Sequence, residues 1–306
     1  FQEGFKRGYG ADGDHLKTIE DINSALEAGT PMITLDLTAV LHPEAQDFDT
    51  GKVERDFEAL PENVRRIITE KYADKQFPVG TNTLGLSTLE AKRCALMYWD
   101  ALDFTEKVDR HLKDRRGNAY DFEISIDETT APTLPEHHLF IIKELARRDV
   151  LVNSVAPRFI GEFQKGIDYI GDLKEFEKQF IVHAEIAKTH GNYKISIHSG
   201  SDKFSVYPII GKHTDGRVHL KTAGTSWLEA VKAIAIKNPS LYRTIHRKAF
   251  GYFEDATKQY HVTTDISAIK DLDKVSDDHL LDFFKDNNAR QLIHITYGHL
   301  LNDPEI

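Results

Sequence analysis

The chain is short of the features that mark secreted, membrane-spanning and nucleic-acid-binding proteins. Its 306 residues include one cysteine, Cys94, and no apolar run near the ~20 residues that a membrane-spanning helix needs. A single thiol cannot form an internal disulfide, so we expect a small buried side chain at Cys94 and a cytoplasmic protein. The 39 Lys and Arg are outnumbered by 49 Asp and Glu, and a net charge of −10 argues against nucleic acid or anionic membranes as partners.

Short motifs that define common enzyme classes are missing as well. The sequence contains no HExxH, CxxC, GxSxG or Walker A pattern, so a zinc protease and a zinc ribbon are unsupported. The partners that remain are small molecules, with an oligomer possible. The chain begins at Phe1 without an initiator methionine, and we expect residues upstream of it.

Short β-prone runs alternate with longer amphipathic runs, which is typical of βα units around a parallel sheet. The strand candidates are Phe5–Gly10, Met32–Leu37, Tyr120–Asp127, Leu151–Val155, Tyr193–His198, Val218–Thr222, Tyr260–Thr264 and Leu292–Thr296. Helices are predicted over 136–148 and 176–190, and a capping box of Ser226 with Glu229 predicts another helix start. Eight strands predict an α/β fold, a TIM-like (β/α)8 barrel forming a single domain over 1–306.

Residues 42–92 do not fit the βα repeat. The segment is charged, contains three prolines and is too long for an ordinary connection. We interpret it as a helical insertion after an early strand.

Several strand candidates alternate polar and apolar residues, although strands buried on both faces should be mostly apolar. Glu123 and Asp127 share one face of their strand, as do Ser196 and His198, and His219 shares a face with Lys221. An open antiparallel sheet with a solvated face would give the same pattern, but the intervening helices favour a barrel with a polar lumen. We therefore expect a functional site at the carboxyl ends of the strands.

Histidines and carboxylates at those strand ends are typical of a divalent metal site. An imidazole with carboxylates accepts Zn, Mn, Ni or Fe, which the sequence does not distinguish. Each residue alone also has a structural interpretation, as a hydrogen-bonded histidine, a helix cap or an ion-paired lysine. Gly200, Gly224 and the helix start near Ser226, beside Lys203, predict an anion site.

Six segments together resemble the bacterial tagaturonate epimerases. They are 8–17 (GYGADGDHLK), 124–129 (ISIDET), 158–162 (RFIGE), 165–169 (KGIDY), 196–208 (SIHSGSDKFSVYP) and 219–226 (HLKTAGTS). The resemblance covers nearly the whole chain, and 196–208 is its most specific part. It implies a metal-dependent isomerase of bacterial hexuronate catabolism that interconverts D-tagaturonate and D-fructuronate, its sugar-acid substrates. Members of this family begin upstream of Phe1, and if two barrel strands lie there, the last two strand candidates would lie outside the barrel.

The resemblance also implies roles for individual residues. Asp14 would be the proton acceptor and Glu123 the proton donor, with His15 and His198 as metal ligands. A third ligand falls within 162–165, where Glu162 is chemically suitable because Lys165 is cationic. The substrate-binding residues would be Lys165, Ser199, Asp202, Lys203, Lys221 and Asp127.

The chemistry of the two sugar acids favours a retro-aldol route. They differ at C3, which is β to both the C5 ketone and the C1 carboxylate, so its C–H is not acidified. A base that removes the C3 hydroxyl proton would instead cleave C3–C4, and rotation of the aldehyde before the bond re-forms would invert C3. A metal-dependent ketose aldolase or other sugar isomerase, a glycosidase using Glu123 and Glu128, and a non-catalytic sugar-acid-binding barrel stay open as alternatives.

Overall fold

A computed structural model describes residues 11–129, 131–222, 224–258, 260 and 262–306. The predicted strand Phe5–Gly10 and His261 lie outside the described residues. The described chain divides into two compact units. The first comprises the described residues up to Ile160 together with Lys174–Ser196 and Gly211–His219. The second comprises the described residues of Gly161–Leu173, Ile197–Ile210 and Leu220–Ile306.

A six-stranded sheet organises the first unit. Its strands are β1 (Asp12–Leu16), β2 (Met32–Asp36), β5 (Asp121–Ser125), β6 (Ser154–Ala156), β7 (Lys194–Ile197) and β8 (Val218–Leu220), in that order across the sheet. The pairs from β1 through β7 are parallel. Two further strands, β3 (Lys75–Val79) and β4 (Asn82–Leu86), form a separate antiparallel hairpin.

Helices follow most of the strands of the sheet. They are α1 (Ile19–Glu27), α2 (Thr50–Glu58), α3 (Glu62–Lys71), α4 (Thr88–Arg116), α5 (Pro135–Arg147), α6 (Leu173–Thr189) and α7 (Tyr207–Thr214). Local sequence explains where several begin: Thr18 closes a capping box with Asp21 before α1, and Ser87 caps α4 by accepting from the backbone N–H of Glu90. One face of the strands is apolar and fully buried, with Ile33, Phe122 and Ile124 each 0% exposed.

The second unit is mainly helical in its described part. It contains α8 (Thr225–Lys237), α9 (Pro239–Ala256), α10 (Asn287–Ile295) and α11 (Tyr297–Leu301), with short 3-10 segments at Ile266–Ala268, Leu272–Lys274 and Asp277–Phe284. Its apolar core includes Val231, Tyr242, Ile245, Leu280 and Leu292. Helix α8 starts from Gly224, which has a φ of 75° and provides no side-chain cap, so the predicted capping box at Ser226 is wrong.

The structure confirms the α/β class but shows no closed eight-stranded barrel among the described residues. The parallel sheet has six strands, and the predicted strand Leu292–Thr296 lies largely in helix α10. The Asp286 carboxylate caps that helix by accepting from the backbone N–H of Ala289, which favours a helix over the β-prone composition of the run. Residues 262–264 have no regular secondary structure.

The segment 42–92 contains helices, as expected, and also the β3–β4 hairpin, which the sequence analysis did not predict. It lies between β2 and β5 in the chain and leads into α4. Among the described helices, none is both long enough and apolar enough to cross a bilayer.

Candidate active site

A row of polar side chains crosses the sheet of the first unit, one from each strand. We call it the polar row; its members are Asp12, Thr34, Glu123, Ser154, Ser196 and His219. The strand register produces part of it, because Glu123 pairs with Thr34 on one side and with Ser154 on the other. The alternation noted in the sequence therefore does place polar groups on one face of a parallel sheet.

Glu123 is at the centre of the polar row and is fully buried. Its Oε2 accepts hydrogen bonds from the Ser154 hydroxyl and from His219 Nδ1, the latter at 2.6 Å. Thr34 Oγ1 lies 3.4 Å from Glu123 Oε1 and 2.9 Å from an Asp12 carboxylate oxygen. A buried carboxylate is costly without such partners, and these three partners are hydroxyls and an imidazole, groups that can exchange protons.

His219 connects the buried carboxylate to accessible space. Its side chain is 26% exposed, whereas that of Glu123 is 0% exposed. Its Nδ1 lies 3.2 Å from Ser196 Oγ as well as 2.6 Å from Glu123. The sequence analysis placed His219 on the polar face of its strand but not among the site residues, and the alternation with Lys221 was the signal that could have identified it.

A second group of polar side chains gathers at the carboxyl ends of β1, β2 and β5. His15 Nδ1 lies 3.1 Å from Asp36 Oδ2 and 3.8 Å from Glu128 Oε1, and its Nε2 lies 3.8 Å from Asp14 Oδ1. Lys17 Nζ approaches the Asp36 carboxylate at 3.2 Å. We call His15, Asp36 and Glu128 the strand-end cluster.

The backbone around His15 is irregular in a way that aims these side chains. The β1–β2 register shifts between Gly13 and Leu16, and His15 has a φ of 52°, which is uncommon outside glycine. Such irregularities often redirect side chains beside functional sites. Consecutive Asp14 and His15 can therefore both contribute to the same region.

The strand-end cluster has a donor set that fits a divalent cation. One imidazole nitrogen and two carboxylate oxygens lie within 4.8 Å of one another, a combination that suits Zn, Mn, Ni or Fe. Burial alone would raise the pKa of the Asp36 carboxyl, but hydrogen bonds from His15 and Thr38 and the charge of Lys17 together hold it well below its ordinary value. Asp36 is thus anionic at neutral pH, as a ligand of a divalent cation would need to be, and it escaped the sequence analysis because it ends an otherwise apolar run.

Of the other residues predicted from the sequence, Asp127 belongs to the first unit. Its Oδ1 accepts a hydrogen bond of 2.5 Å from the Ser125 hydroxyl, which fixes the carboxylate just after β5. The predicted residues Glu162, Lys165, His198, Ser199, Asp202, Lys203 and Lys221 all belong to the second unit.

In the second unit, the segments that follow β7 and β8 are hydrogen-bonded to each other. The Lys221 N–H donates to the Ile197 carbonyl at 3.0 Å, and the Gly200 N–H donates to the Lys221 carbonyl at 2.9 Å. His198 is 8% exposed, and Ser199 adopts a left-handed backbone with a φ of 48°. The structure therefore brings His198, Ser199 and Lys221 into one small region.

Lys203 is fully buried, and its ammonium group holds the loop that carries Lys165. Its three N–H donors reach the carbonyls of Gln164, Ile167 and Ser201 at 2.7, 2.5 and 3.0 Å. Burial lowers the pKa of Lys203 to about 8, against the opposing effect of the Asp202 charge, so the group is still mostly protonated at neutral pH. These bonds take up its donors, and this geometry supports a positioning role rather than direct contact with a substrate carboxylate.

Positive charge nevertheless concentrates around this loop. His294 on α10 is 3% exposed, and burial lowers its pKa to about 4, with Lys165, Lys203 and Arg290 adding electrostatic repulsion. Arg290 Nη2 in turn lies 3.1 Å from Asp202 Oδ1. Glu162 is anchored beside the loop by backbone hydrogen bonds to Ile170 in both directions.

Comparison with known proteins identifies one family. A family described as tagaturonate epimerase matches residues 1–306. A tagaturonate/fructuronate epimerase of Thermotoga maritima is 44% identical over 307 aligned residues, which cover 100% of this chain and 63% of that protein. The chain therefore spans less than two thirds of the length of this relative.

Solved structures agree with the sequence match. The native crystal structure of fructuronate-tagaturonate epimerase UxaE from Cohnella laeviribosi is 51% identical, with a TM-score of 0.95 over 99% of this chain and 61% of that one. A glycerol complex of that enzyme is 50% identical, also with a TM-score of 0.95 over 99% of this chain and 61% of that one.

Proposed function

The chain belongs to the tagaturonate epimerase family, and on that premise we propose that it interconverts D-tagaturonate and D-fructuronate by inverting C3. The observation that carries the proposal is the buried Glu123 carboxylate, hydrogen-bonded to the partly exposed His219 within the polar row. A sheet with only a structural role has no need of a buried carboxylate surrounded by proton-exchanging groups. A proton donor requires that arrangement.

The reaction we propose is retro-aldol cleavage followed by aldol re-formation. Removal of the C3 hydroxyl proton allows the C3–C4 bond to break, which gives an aldehyde at C3 and an enediolate at C4 and C5. Rotation of the aldehyde presents its other face, and re-formation of the C3–C4 bond returns the proton to the C3 oxygen. Atoms and electrons balance without an oxidant or reductant.

Asp14 and Glu123 would share the proton transfers. The Asp14 side chain is 56% exposed and so can meet the C3 hydroxyl as the proton acceptor. Glu123 would return a proton on the opposite side, and His219 would replenish it, because the imidazole contacts both the carboxylate and accessible space.

The strand-end cluster would hold the divalent cation in the first unit. Its imidazole and carboxylates are the donors on which this assignment rests. When bound, the cation would supply Lewis-acid stabilisation of the negative charge that develops during cleavage. The resemblance assigns His198 and Glu162 to the cation too, and they remain proposed ligands.

The remaining assigned residues would recognise the sugar acid. Lys165 and Lys221 would attract its carboxylate, while Ser199, Asp202 and Asp127 would meet its hydroxyl groups. Lys203 would act through Lys165, because its ammonium holds the backbone of the loop that carries that residue. The carbonyl contacts of Lys203 support this indirect role.

The experiment that tests the function compares cation-loaded and EDTA-treated protein. Incubation with tagaturonate should yield fructuronate only with the cation, and re-addition should restore the conversion. Substrate made in ordinary water and turned over in deuterium oxide should gain no carbon-bound deuterium at C3. Accumulation of free three-carbon fragments instead of fructuronate would indicate an aldolase, and deuterium at C3 would exclude the retro-aldol route.

A further inference from the structure

Helices α4 and α5 bring three metal-ligating side chains together away from the strands of the polar row. Glu90 and Cys94 are four residues apart on α4 and therefore share a face, and His137 reaches them from the first turn of α5. A carboxylate oxygen of Glu90, the Cys94 sulfur and a ring nitrogen of His137 all lie within 4.8 Å of one another. We call these residues the α4–α5 cluster.

We propose that the α4–α5 cluster binds Zn²⁺ or another thiophilic divalent cation, at a site separate from the residues proposed for epimerisation. Ligands around a tetrahedral Zn²⁺ lie roughly 3.5 Å apart, given bond lengths of about 2.0 to 2.3 Å. The three donor atoms already lie within 4.8 Å of one another, so side-chain rotations suffice to reach that spacing. A sulfur, a nitrogen and an oxygen leave a fourth position open to water.

The orientation of His137 supports this assignment. Its Nε2 lies 2.8 Å from Glu90 Oε1, and its Nδ1 lies 3.1 Å from the Tyr98 hydroxyl oxygen. Nε2 is therefore the nitrogen that faces Glu90. With a cation on Nε2, the Nδ1–H donates to the Tyr98 oxygen, which is the second hydrogen bond that metal-bound imidazoles usually make.

Burial and charge explain why the site would favour a cation. Cys94 is 0% exposed and His137 is 1% exposed, while the Glu90 side chain is 26% exposed and leaves an entry route. The Glu90 carboxylate brings negative charge beside the thiol. A bound cation would replace the thiol proton, so binding would release one proton to solvent.

The thiolate separates this cluster from the strand-end cluster. Only nitrogen and oxygen donors are available at His15, Asp36 and Glu128, whereas the α4–α5 cluster contains the one cysteine of the chain. Sulfur ligands select Zn²⁺ and similar soft cations over Mg²⁺ or Mn²⁺. A cation here would tie the start of α4, next to the inserted segment, to the start of α5.

Cobalt provides a direct test, since a Co²⁺–thiolate bond has a charge-transfer absorption in the near ultraviolet. Chelator-treated, reduced chain is titrated with Co²⁺. The band should saturate by two equivalents of Co²⁺ in the wild type, because the strand-end cluster can take the other equivalent. It should disappear in Cys94→Ser and require at least about tenfold more Co²⁺ in Glu90→Gln, since loss of one ligand weakens the site. Zn²⁺ should displace Co²⁺ and abolish the band.

Two matched variants make the result specific. Glu70→Gln removes an exposed glutamate on α3, and His15→Gln removes the imidazole of the strand-end cluster; both should keep the band at unchanged affinity. Circular dichroism checks that each variant is folded, and Glu90→Gln, at a partly exposed position, keeps the test decisive if Cys94→Ser does not fold. A folded wild type without the band, or unchanged affinity in Glu90→Gln, would overturn the proposal.

Discussion

Two fully buried glutamates of the first unit have opposite surroundings. Glu144 on α5 is held by permanent cations: Arg147 donates to its carboxylate at 2.8 to 3.0 Å and Arg148 at 3.4 Å, with the Tyr72 hydroxyl at 2.7 Å. Glu123 is also 0% exposed, and the hydrogen-bond partners described above for its carboxylate are hydroxyls and the imidazole of His219. Paired guanidinium groups fix a charge, whereas hydroxyls and an imidazole allow a proton to move. Burial alone therefore does not identify a functional carboxylate; the chemistry of its partners does.

The largest expected effect comes from Glu123→Gln. The amide cannot donate a proton as an acid, so kcat for epimerisation should fall by about 10²- to 10⁴-fold. Stability should change little, by about 1 to 2 kcal/mol, because the amide keeps the shape and part of the hydrogen bonding. Enzyme assays and urea unfolding of the same preparations give both values. Near-normal kcat in a folded Glu123→Gln variant would remove Glu123 from the mechanism.

Glu144→Gln should have the opposite effect: it should lower stability and leave kcat nearly unchanged. Loss of one partner from a buried ion pair costs about 3 to 5 kcal/mol, and the lower end is expected because the Arg147 side chain is 36% exposed. Activity per folded molecule should stay near the wild-type value. Urea unfolding measures the loss. A selective fall in kcat without loss of stability would erase the contrast between the two glutamates.

Buried histidines extend the comparison. His138 and His183 are at most 1% exposed, and their Nδ1 atoms lie 2.9 Å apart. Burial lowers the pKa of His183 to about 4, partly offset by a hydrogen bond with the Thr133 backbone. The ordinary value is 6.5, so the neutral ring stabilises the fold above pH 6.5, and this contribution is lost as the pH falls towards 4.

The lowering of the His183 pKa from 6.5 to about 4 corresponds to a loss of about 3 kcal/mol of unfolding free energy by pH 4. Urea unfolding from pH 7 to 4 should show a steeper acid decline for the wild type than for His183→Gln. His42→Gln is the control, because its side chain is 45% exposed and the decline should match the wild type. Equal slopes for all three proteins would contradict a neutral buried pair.

The sequence predicted much of the polar face but only part of the site. Alternation placed Glu123 and His219 each on the polar face of its own strand, because a period of two is a local property of a strand. The sequence could not show that the Lys203 donors are taken up by carbonyls of residues about 40 positions earlier. Asp36 was missed for a similar reason, since its partner His15 lies 21 positions away.

The fold prediction failed where local composition was ambiguous. The β-branched content of 292–296 suits a strand, and a short apolar run cannot be assigned by periodicity alone. The Asp286 cap and the burial of Ala289 and Leu292 in the second unit's core decide for a helix. The barrel prediction depended on counting that run as a strand.

The smallest expected effect, and the sharpest test of the comparison, is at His219. If a mobile proton distinguishes Glu123 from Glu144, removing the imidazole should leave the carboxylate in place but slow its reprotonation. His219→Ala should lower kcat by about 10- to 100-fold, less than Glu123→Gln, because only the relay is lost. His219→Asn keeps a donor near the position of Nδ1. It should restore the hydrogen bond to Glu123 but not the pH dependence of kcat.

The first unit contains a matched control for this experiment. His213 Nε2 lies 2.7 Å from Glu177 Oε1, with the His213 side chain 19% exposed, so it is another partly exposed histidine–glutamate pair. Its glutamate is 33% exposed, and His213→Ala should leave kcat and its pH profile unchanged. If His219→Ala behaves like His213→Ala, the imidazole serves only to satisfy a buried carboxylate, and Glu123 would then need another proton source. If only His219→Ala changes the pH profile of kcat, the proton transfer depends on the Glu123–His219 pair. A merely structural contact would lower stability without changing that profile.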